Sequence, residues 1–363
     1  MKSNPKQLLA LSGGVDSAVA ASLLLEAGEE NQLSAAFLRH NIPCHKDGLK
    51  LLDAAEADAR RIADILSLPL QVINAESSFG KLVDYFVTSH LQGETPNPCA
   101  WCNPRVKFQE LFTLAEDLGV EQVATGHYVR TGLHKGEPVL LRGIEQSKDQ
   151  SYMLFDLPRE WLPKLRFPVG AMDKKRVRQI ATEKGLPVAA KKDSQEICFI
   201  PDNDHAAFIE RATDGDYSGD IVTTDGTVVG QHTGYFRFTI GQRKGLGVAL
   251  GEPHYVVAIR PQSREVVLGR VEELEVSEVF ARDANWHVLP STEVFHCTAK
   301  VRYNSPPVKA EVTLGTNDTF QVQLEDSRQG VAPGQAVVLY DGEVLLGGGW
   351  IEGNEGEKTA AGA

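Results

Sequence analysis

Short apolar runs alternate with longer amphipathic stretches through the first two hundred residues. Residues 7–11, 33–38, 70–73 and 122–125 are compact and apolar, the pattern of buried strands. Between them, residues 15–27 and 49–66 carry apolar positions at helical spacing. In the second stretch Leu49, Leu52, Ala55, Ala59, Ile62 and Leu66 fall on one face. Residues 79–91 and 106–118 continue the helical pattern. Strand and helix in alternation predict an α/β, doubly wound parallel sheet. Ligands of such sheets bind at the carboxyl ends of the strands, and residues 12–17 and 125–128 both fall there. The two turns are expected to be neighbours.

After residue 205 the period shortens. Residues 220–224, 227–229, 235–240, 254–259, 265–268, 296–303, 308–313, 320–324, 336–340 and 343–346 read as strands separated by turn residues. Asp225-Gly226 and Asp341-Gly342 suit tight hairpins. Such regular spacing predicts one or two small β-barrels, with the acidic residues 270–277 as a joint between them. A chain of 363 residues exceeds what one core covers. The expected layout is an α/β domain over 1–204, a small β-rich domain over 205–275, a β-barrel over 276–355 and a frayed tail over 356–363.

The first turn carries the most specific chemistry. Residues 9–17 read L-A-L-S-G-G-V-D-S, an apolar strand breaking into Ser-Gly-Gly before a helix. Glycines let the backbone fold tightly against a ligand, and the helix that follows offers free N–H groups and the positive end of its dipole. That geometry binds phosphate. Gly-Gly alone is usually only a turn, but the full S-G-G-x-D-S string resembles the loop of enzymes that cleave ATP between its α- and β-phosphates. No G-x-x-x-x-G-K-S/T string occurs, so a kinase-type loop has no support.

Composition narrows the classes. Hydrophobic content of 42% and charged content of 24% are ordinary for a globular protein. Residues 1–6 are polar, without the apolar core of a signal peptide, and no apolar run reaches membrane-spanning length. A cytoplasmic location with no membrane partner is expected. The net charge of −12 argues against nonspecific nucleic-acid binding. Yet residues 158–200 hold ten Lys or Arg against five Asp or Glu, centred on Lys174, Lys175, Arg176, Arg178, Lys191 and Lys192. Two readings are open: a solvated helix face, or a surface for a phosphate backbone.

Five cysteines are present, Cys44, Cys99, Cys102, Cys198 and Cys297. In a reducing compartment, close spacing suggests metal or redox chemistry rather than structural disulfides. Residues 93–108 read G-E-T-P-N-P-C-A-W-C-N-P-R-V-K-F, which predicts an ordered, irregular loop before a helix. No second C-x-x-C accompanies Cys99 and Cys102, so a zinc ribbon is the weaker reading. Cys198, between Ile197 and Phe199, has the flanks of a core residue.

Taken together, these strings closely resemble the tRNA-specific 2-thiouridylases. The match runs in order over nearly the whole chain: residues 12–17, T-P-N-P-x-x-x-C-N at 95–103, A-T-G-H-Y at 124–128, S-K-D-Q-S-Y at 147–152, I-C-F-I at 197–200, G-Q-R-K-G-L-G at 241–247, R-Y at 302–303 and P-G-Q at 333–335. The resemblance implies an ATP-dependent enzyme that adenylates the C2 carbonyl of the wobble uridine and replaces its oxygen with sulfur, using ATP and Mg²⁺. It implies Lys, Glu and Gln acceptor tRNAs as substrates and a cysteine desulfurase or relay protein as sulfur donor. Leu11, Ser12, Gly13, Gly14, Val15, Asp16, Ser17, Ala18 and Gly126 fall on nucleotide-binding positions, and Leu38 on an adenine contact. Asn97, Pro98 and Cys99 fall where the target base is contacted. Cys102 matches the nucleophile and Cys198 the cysteine that carries a persulfide. His127, Lys148, Asp149, Gln150, Arg302, Tyr303 and Gln335 match tRNA contacts, and the terminal barrel becomes a tRNA-binding domain. For His127 the blander role is closing a strand end, and for Arg302 and Tyr303 plain barrel surface.

The chain departs from the family pattern at one point. Asp usually stands three residues before the nucleophile; here it is Cys99. A carboxylate is a permanent anion at neutral pH, whereas a thiol is mostly neutral unless its surroundings lower its pKa. Either Cys99 is an auxiliary thiol beside an unchanged persulfide route, or Cys99, Cys102 and Cys198 hold a 4Fe–4S cluster. Two further classes share some of these features. An adenylating ligase with the same loop needs no cysteine pair, and a binding module without catalysis releases no pyrophosphate.

Overall fold

The computed structural model describes residues 6–28, 32–40, 46–191, 197–200 and 202–353. Cys44, Lys192 and residues 356–363 lie outside the described residues. The chain divides into two compact units. One holds Met1–Leu82, Cys99–Asn203 and Glu343–Leu346; the other holds Val83–Pro98, Asp204–Gly342 and Gly347–Ala363.

The first unit is a parallel sheet wrapped by helices, as the alternation predicts. In chain order its elements begin with β1 (Gln7–Ala10), α1 (Val15–Glu26), β2 (Leu33–Arg39), α2 (Lys46–Ile65), β3 (Leu70–Asn74) and α3 (Glu76–Leu91), which runs on into the second unit. After the return come α4 (Pro98–Cys102), α5 (Gln109–Asp117), β4 (Gln122–Ala124), β5 (Val129–His134), β6 (Glu137–Arg142), β7 (Leu165–Arg166) and α6 (Lys174–Glu183). The strand order is β3-β2-β1-β4-β7, every pair parallel. Leu9 pairs with Ala35 on one side and Ala124 on the other. β1 is therefore central, and its carboxyl end opens where the strand order reverses.

Small residues explain how α1 is enclosed. Val15, Ala18, Val19, Ala20 and Ala21 are buried in one cluster with Leu9, Leu11, Ala59, Ile62, Val177 and Ala181. Alanine faces let α1 sit close to the sheet and to its helical neighbours α2 and α6.

Two features of this unit differ from the sequence pattern. β5 and β6 form an antiparallel hairpin that the alternation of strand and helix did not announce. The segment expected to be an irregular loop up to residue 108 is helical from Pro98 onward. Proline suits a first helical position, where its missing N–H costs nothing. Pro104 cannot extend the α-ladder, and residues Asn103–Phe108 widen into a π-helix there before α5 resumes. The thiols of Cys99 and Cys102 thus stand one helical turn apart on α4.

The second unit contains α7 (His205–Arg211) and two β assemblies. A four-stranded sheet has the order β10-β11-β8-β9, from β8 (Gly219–Thr223), β9 (Val228–His232), β10 (Tyr255–Arg260) and β11 (Glu265–Gly269). A closed six-stranded barrel follows from β12 (Glu275–Trp286), β13 (Val294–Lys300), β14 (Val308–Leu314), β15 (Phe320–Gln329), β16 (Ala336–Asp341) and β17 (Val344–Ile351). Its order is β12-β15-β14-β13-β16-β17, closed by pairing of β12 with β17.

Two expectations are corrected here. Residues 235–240 are not a strand: Tyr235–Arg237 form a 3₁₀ turn. Tyr235 and Phe236 both pack on Tyr217, at 5.9 and 5.6 Å, and consecutive strand residues cannot share one face. The acidic joint is likewise shorter than read, since Val271–Leu274 is a 3₁₀ turn and β12 opens at Glu275. Register shifts at 276/278 and 282/285 break the alternation that would have revealed this strand.

Two histidines make stability sensitive to acid. Burial pushes His40, at the end of β2, and His90, in α3, down to about 4 from an ordinary 6.5. His90 Nδ1 lies 2.8 Å from the Phe86 carbonyl, to which the neutral ring donates. The folded chain favours the neutral rings, so this stability is present above pH 6.5 and is lost as pH falls from there toward 4, by at most about 3 kcal/mol per ring. Melting temperature is expected to drop across that window, with a shallower drop in His90→Gln. An unchanged slope in the variant would refute the assignment to His90.

Candidate active site

The loop after β1 is built to leave donors free. Gly14 is the N-cap of α1 and offers no side chain to its N–H groups. Ser17 turns inward instead: its Oγ accepts from the Ser12 N–H at 3.2 Å, lies 3.1 Å from Ser12 Oγ and donates to the Gly14 carbonyl at 3.1 Å. The two serines stitch the loop to itself, and the amides at the start of α1 face outward for an anion. Gly13 has φ +72°, and a Cβ there would lie 2.2 Å from the Ala55 carbonyl oxygen of α2.

The turn after β4 closes on the same place. A Cβ on Gly126 would lie 2.7 Å from the Ser17 amide and 2.8 Å from the Asp16 carbonyl carbon. The Tyr128 hydroxyl donates to Asp16 Oδ1 at 2.7 Å. Lys174, at the start of α6, reaches both Asp16 oxygens at 2.7 and 2.8 Å. The predicted neighbours 12–17 and 125–128 are thus in direct contact, with Leu38 half-buried on the adjacent β2. Lys174 was legible only as part of a charge run; its pairing with a residue 158 positions away leaves no local signal.

The basic segment is mostly spoken for. Arg176 pairs with Glu183, Lys184 with Glu26, and Arg178 donates to the Ala189 carbonyl. Lys191 donates to the Gly13 carbonyl at 3.0 Å and pairs with Asp58 at 2.8 Å.

Three cysteines form a second cluster in this unit. Cys99, Cys102 and Cys198 act electrostatically on one another, and each also feels Lys107. Cys99 and Cys198 touch solvent, yet desolvation is the chief cause of their raised pKa values. Burial likewise lifts Cys102, to about 11, against the Lys107 ammonium. The core reading of Cys198 is overturned: Phe199 and Ile200 are buried while Cys198 faces out. Phe199 anchors the turn edge-on to Phe79 at 5.6 Å, and Phe79 stacks on His40 at 4.0 Å.

Lys107 is held in place. Its Nζ donates to Asn103 Oδ1 at 3.1 Å and lies 3.3 Å from His127 Nε2. An ammonium only donates, so Nε2 accepts and the ring proton sits on Nδ1, 2.6 Å from Thr125 Oγ1. Burial and Lys107 together hold His127 far below its ordinary pKa, hence neutral. Asn103 is fixed by donating to the Met153 carbonyl at 2.9 Å. Lys107 and Asn103 escaped sequence reasoning, although their spacing of four along a helix was the available signal.

Other expected positions have structural partners. Asp149 is buried, accepting from Gly143 and Ser151 amides at 3.0 Å each and from the Ser151 hydroxyl at 2.9 Å. Gln150 Oε1 accepts from the Tyr128 amide at 2.8 Å, and Lys148 is half-buried. In the second unit, Gln335 donates to the Thr95 carbonyl at 2.7 Å, bracing the chain just before the buried Asn97 and Pro98. Arg302 donates to the Ile240 carbonyl at 3.0 Å, and Lys300 lies over the Tyr303 ring.

Metal fits differ at the two places. Asp16 is the one carboxylate at the loop that would hold Mg²⁺, through lone pairs left over from Lys174 and Tyr128. No group of three or more His, Cys, Asp or Glu among the described residues is arranged to hold a metal ion. Cys99, Cys102 and Cys198 are therefore not arranged as the ligand set of a 4Fe–4S cluster.

A doubly wound sheet with an uncapped Ser-Gly-Gly loop, followed by a small β domain and a six-stranded barrel, defines the class of ATP-pyrophosphatase-loop proteins with appended β modules. Residues 6–202 match the profile described as tRNA methyl transferase HUP domain, 206–270 its PRC-barrel domain and 276–351 the aminomethyltransferase beta-barrel domain. The chain is 43% identical over 361 residues to the tRNA-specific 2-thiouridylase MnmA of Geobacter metallireducens, covering 97% of this chain and 98% of that protein. It is 42% identical to those of Geotalea uraniireducens (99% of each chain) and Rhodopirellula baltica (95% of each). The chain belongs to the tRNA-specific 2-thiouridylase family. Among solved structures, the NH3-dependent NAD synthetase from Campylobacter jejuni shares 20% identity at TM-score 0.33, covering 59% of this chain and 81% of that one. The U34-tRNA thiolase NcsA from Methanococcus maripaludis with its 4Fe-4S cluster shares 17% at 0.35, over 58% and 66%. No helix among the described residues is long and apolar enough to cross a membrane.

Proposed function

We propose that this chain is an ATP-dependent tRNA-uridine 2-sulfurtransferase acting on the wobble uridine. The observation that carries the reading is the pairing, in one compact unit, of an uncapped phosphate loop with the thiols Cys99, Cys102 and Cys198 around Lys107. Methyl transfer, the chemistry in the profile's description, calls for neither.

In the first half-reaction the uridine O2 attacks the α-phosphorus of ATP. The bond from that phosphorus to its bridging oxygen breaks, pyrophosphate leaves with the electron pair, and the N3 proton is lost. Amides at the start of α1, with Ser12, Gly13, Gly14 and Gly126 giving close approach, hold the phosphates; Leu38 lies against the adenine. Asp16 would hold Mg²⁺, which supplies charge neutralisation when bound. In the second half, the outer sulfur of a Cys198 persulfide forms a bond to C2 and AMP leaves. Cys102 then attacks the Cys198 sulfur; the S–S bond to the base breaks, its electron pair stays on the sulfur of C2, and a Cys102–Cys198 disulfide remains for an external thiol to reduce. A cysteine desulfurase or relay protein supplies the persulfide sulfur. Asn97, Pro98 and Cys99 contact the flipped base, and His127, Lys148, Asp149, Gln150, Arg302, Tyr303 and Gln335 lie toward the tRNA. For Asp149 and His127, whose polar atoms are already engaged, that role is to shape the surface. Domains over 1–204, 205–275 and 276–355 divide catalysis, bridging and tRNA binding.

Incubation of the chain with ATP, Mg²⁺, unmodified tRNA and a persulfide donor should release pyrophosphate only when tRNA is present and leave 2-thiouridine in the digested tRNA by mass spectrometry. Pyrophosphate release indifferent to tRNA would instead favour an adenylating ligase of another specificity.

A further inference from the structure

We propose that Lys174 and Lys191 form a cationic clamp on the β- and γ-phosphates of ATP and on pyrophosphate as it departs, a reading that rests on the adenylation step above. The two lysines come from the same basic segment and converge on opposite ends of the loop, Lys174 at Asp16 and Lys191 at the Gly13 carbonyl. Lys174 is deeply placed, its side chain 11% exposed, although its neighbours Lys175 and Arg176 on the same helix are exposed. Its backbone N–H is taken by Glu145 at 2.6 Å, leaving the side chain to run inward under Tyr128.

A buried ammonium beside the N-terminus of α1 is electrostatically out of place, because that end of a helix is already positive. One carboxylate, Asp16, offsets it. On the other side Asp58 is shared between Lys191 and Arg61. Lys174, Lys191 and Arg61 balance Asp16, Asp58 and Glu145, so the free amides of the loop carry the positive potential and the two ammonium groups stand at its rim. Two ammonium groups beside uncapped amides suit a ligand with several negative charges at one end, and ATP has them beyond its α-phosphate. When the bond at the α-phosphorus breaks, the electron pair stays on pyrophosphate, and two fixed ammonium groups stabilise that charge as it develops. The basic run therefore reads phosphate, but that of the nucleotide rather than an RNA backbone.

Binding of the non-cleavable analogue α,β-methylene-ATP and of AMP, each with Mg²⁺, by calorimetry on the full chain separates the clamp from a structural counter-ion. Lys174→Gln and Lys191→Gln should each weaken the analogue at least about tenfold and AMP less than about twofold. Equal loss for both ligands, or no loss, would overturn the clamp. Lys191 is partly exposed, so its variant keeps the test valid if Lys174→Gln fails to fold; in that case the Lys191→Gln ratio alone decides. Wild-type protein that binds the analogue but forms no 2-thiouridine would sink the proposed function and leave the clamp standing. Both variants binding the analogue like wild type would sink the clamp and leave the function.

Discussion

Cys198→Ser should release pyrophosphate in the presence of tRNA at close to the wild-type rate while forming no detectable 2-thiouridine, a loss of at least about 1000-fold. Cys102→Ser should be as inactive in thiolation but for another reason. Serine cannot attack the sulfur of a mixed disulfide, so the base stays tethered to Cys198, and a covalent protein–tRNA species should appear on a non-reducing gel and vanish with dithiothreitol. The two variants thus stop the reaction on either side of one bond. The contrast depends on the thiols lying together, which their mutual electrostatic effects support. It also depends on their being protected: burial lifts the Cys102 thiol, to about 11, which keeps it protonated at rest. Retained thiolation in either variant would exclude the persulfide route.

Gly13→Ala should abolish ATP binding, by more than about 100-fold, and lower the melting temperature. Its φ of +72° is strained for alanine, and the new Cβ would press on the Ala55 carbonyl oxygen at 2.2 Å, a backbone atom of α2 with nowhere to go. Gly28→Ala is the control. It has a similar φ of +86° with nothing within 4 Å, so it should cost about 1 kcal/mol and leave ATP affinity intact. Equal behaviour of the two variants would mean that strain alone, not the fit of α2 against the loop, governs the site.

How much of this was legible in the sequence follows from the range of each interaction. The parallel sheet and α1 were readable because the period of burial is local: Leu9 and Ala18 announce their faces within a few residues. The tight turn after β1 was readable because its glycines, serines and Asp16 are contiguous. The hairpin of β5 and β6 and the strand β12 were not, since register shifts and turn residues blur a period of two. The helical setting of Cys99 and Cys102 was hidden by three prolines, each compatible with a loop when read alone. Least legible were the partners of Lys107 and Lys174. Ion pairs and hydrogen bonds between distant elements leave no periodicity, so the residues that orient the thiols and the loop emerge only in three dimensions.

The widened turn over Asn103–Phe108 also acts as a phase setting. Each residue of an α-helix advances its direction by about 100°. A π turn holds one residue more than an α turn, so the angular offset between α4 and α5 is fixed by a single residue count. α5 is anchored by the buried Leu111 and Phe112, and α4 carries the thiols on the far side of that turn. The two thiols are therefore aimed by counting: shorten the segment by one residue and both would swing about a quarter-turn away from Cys198, with every side chain still present.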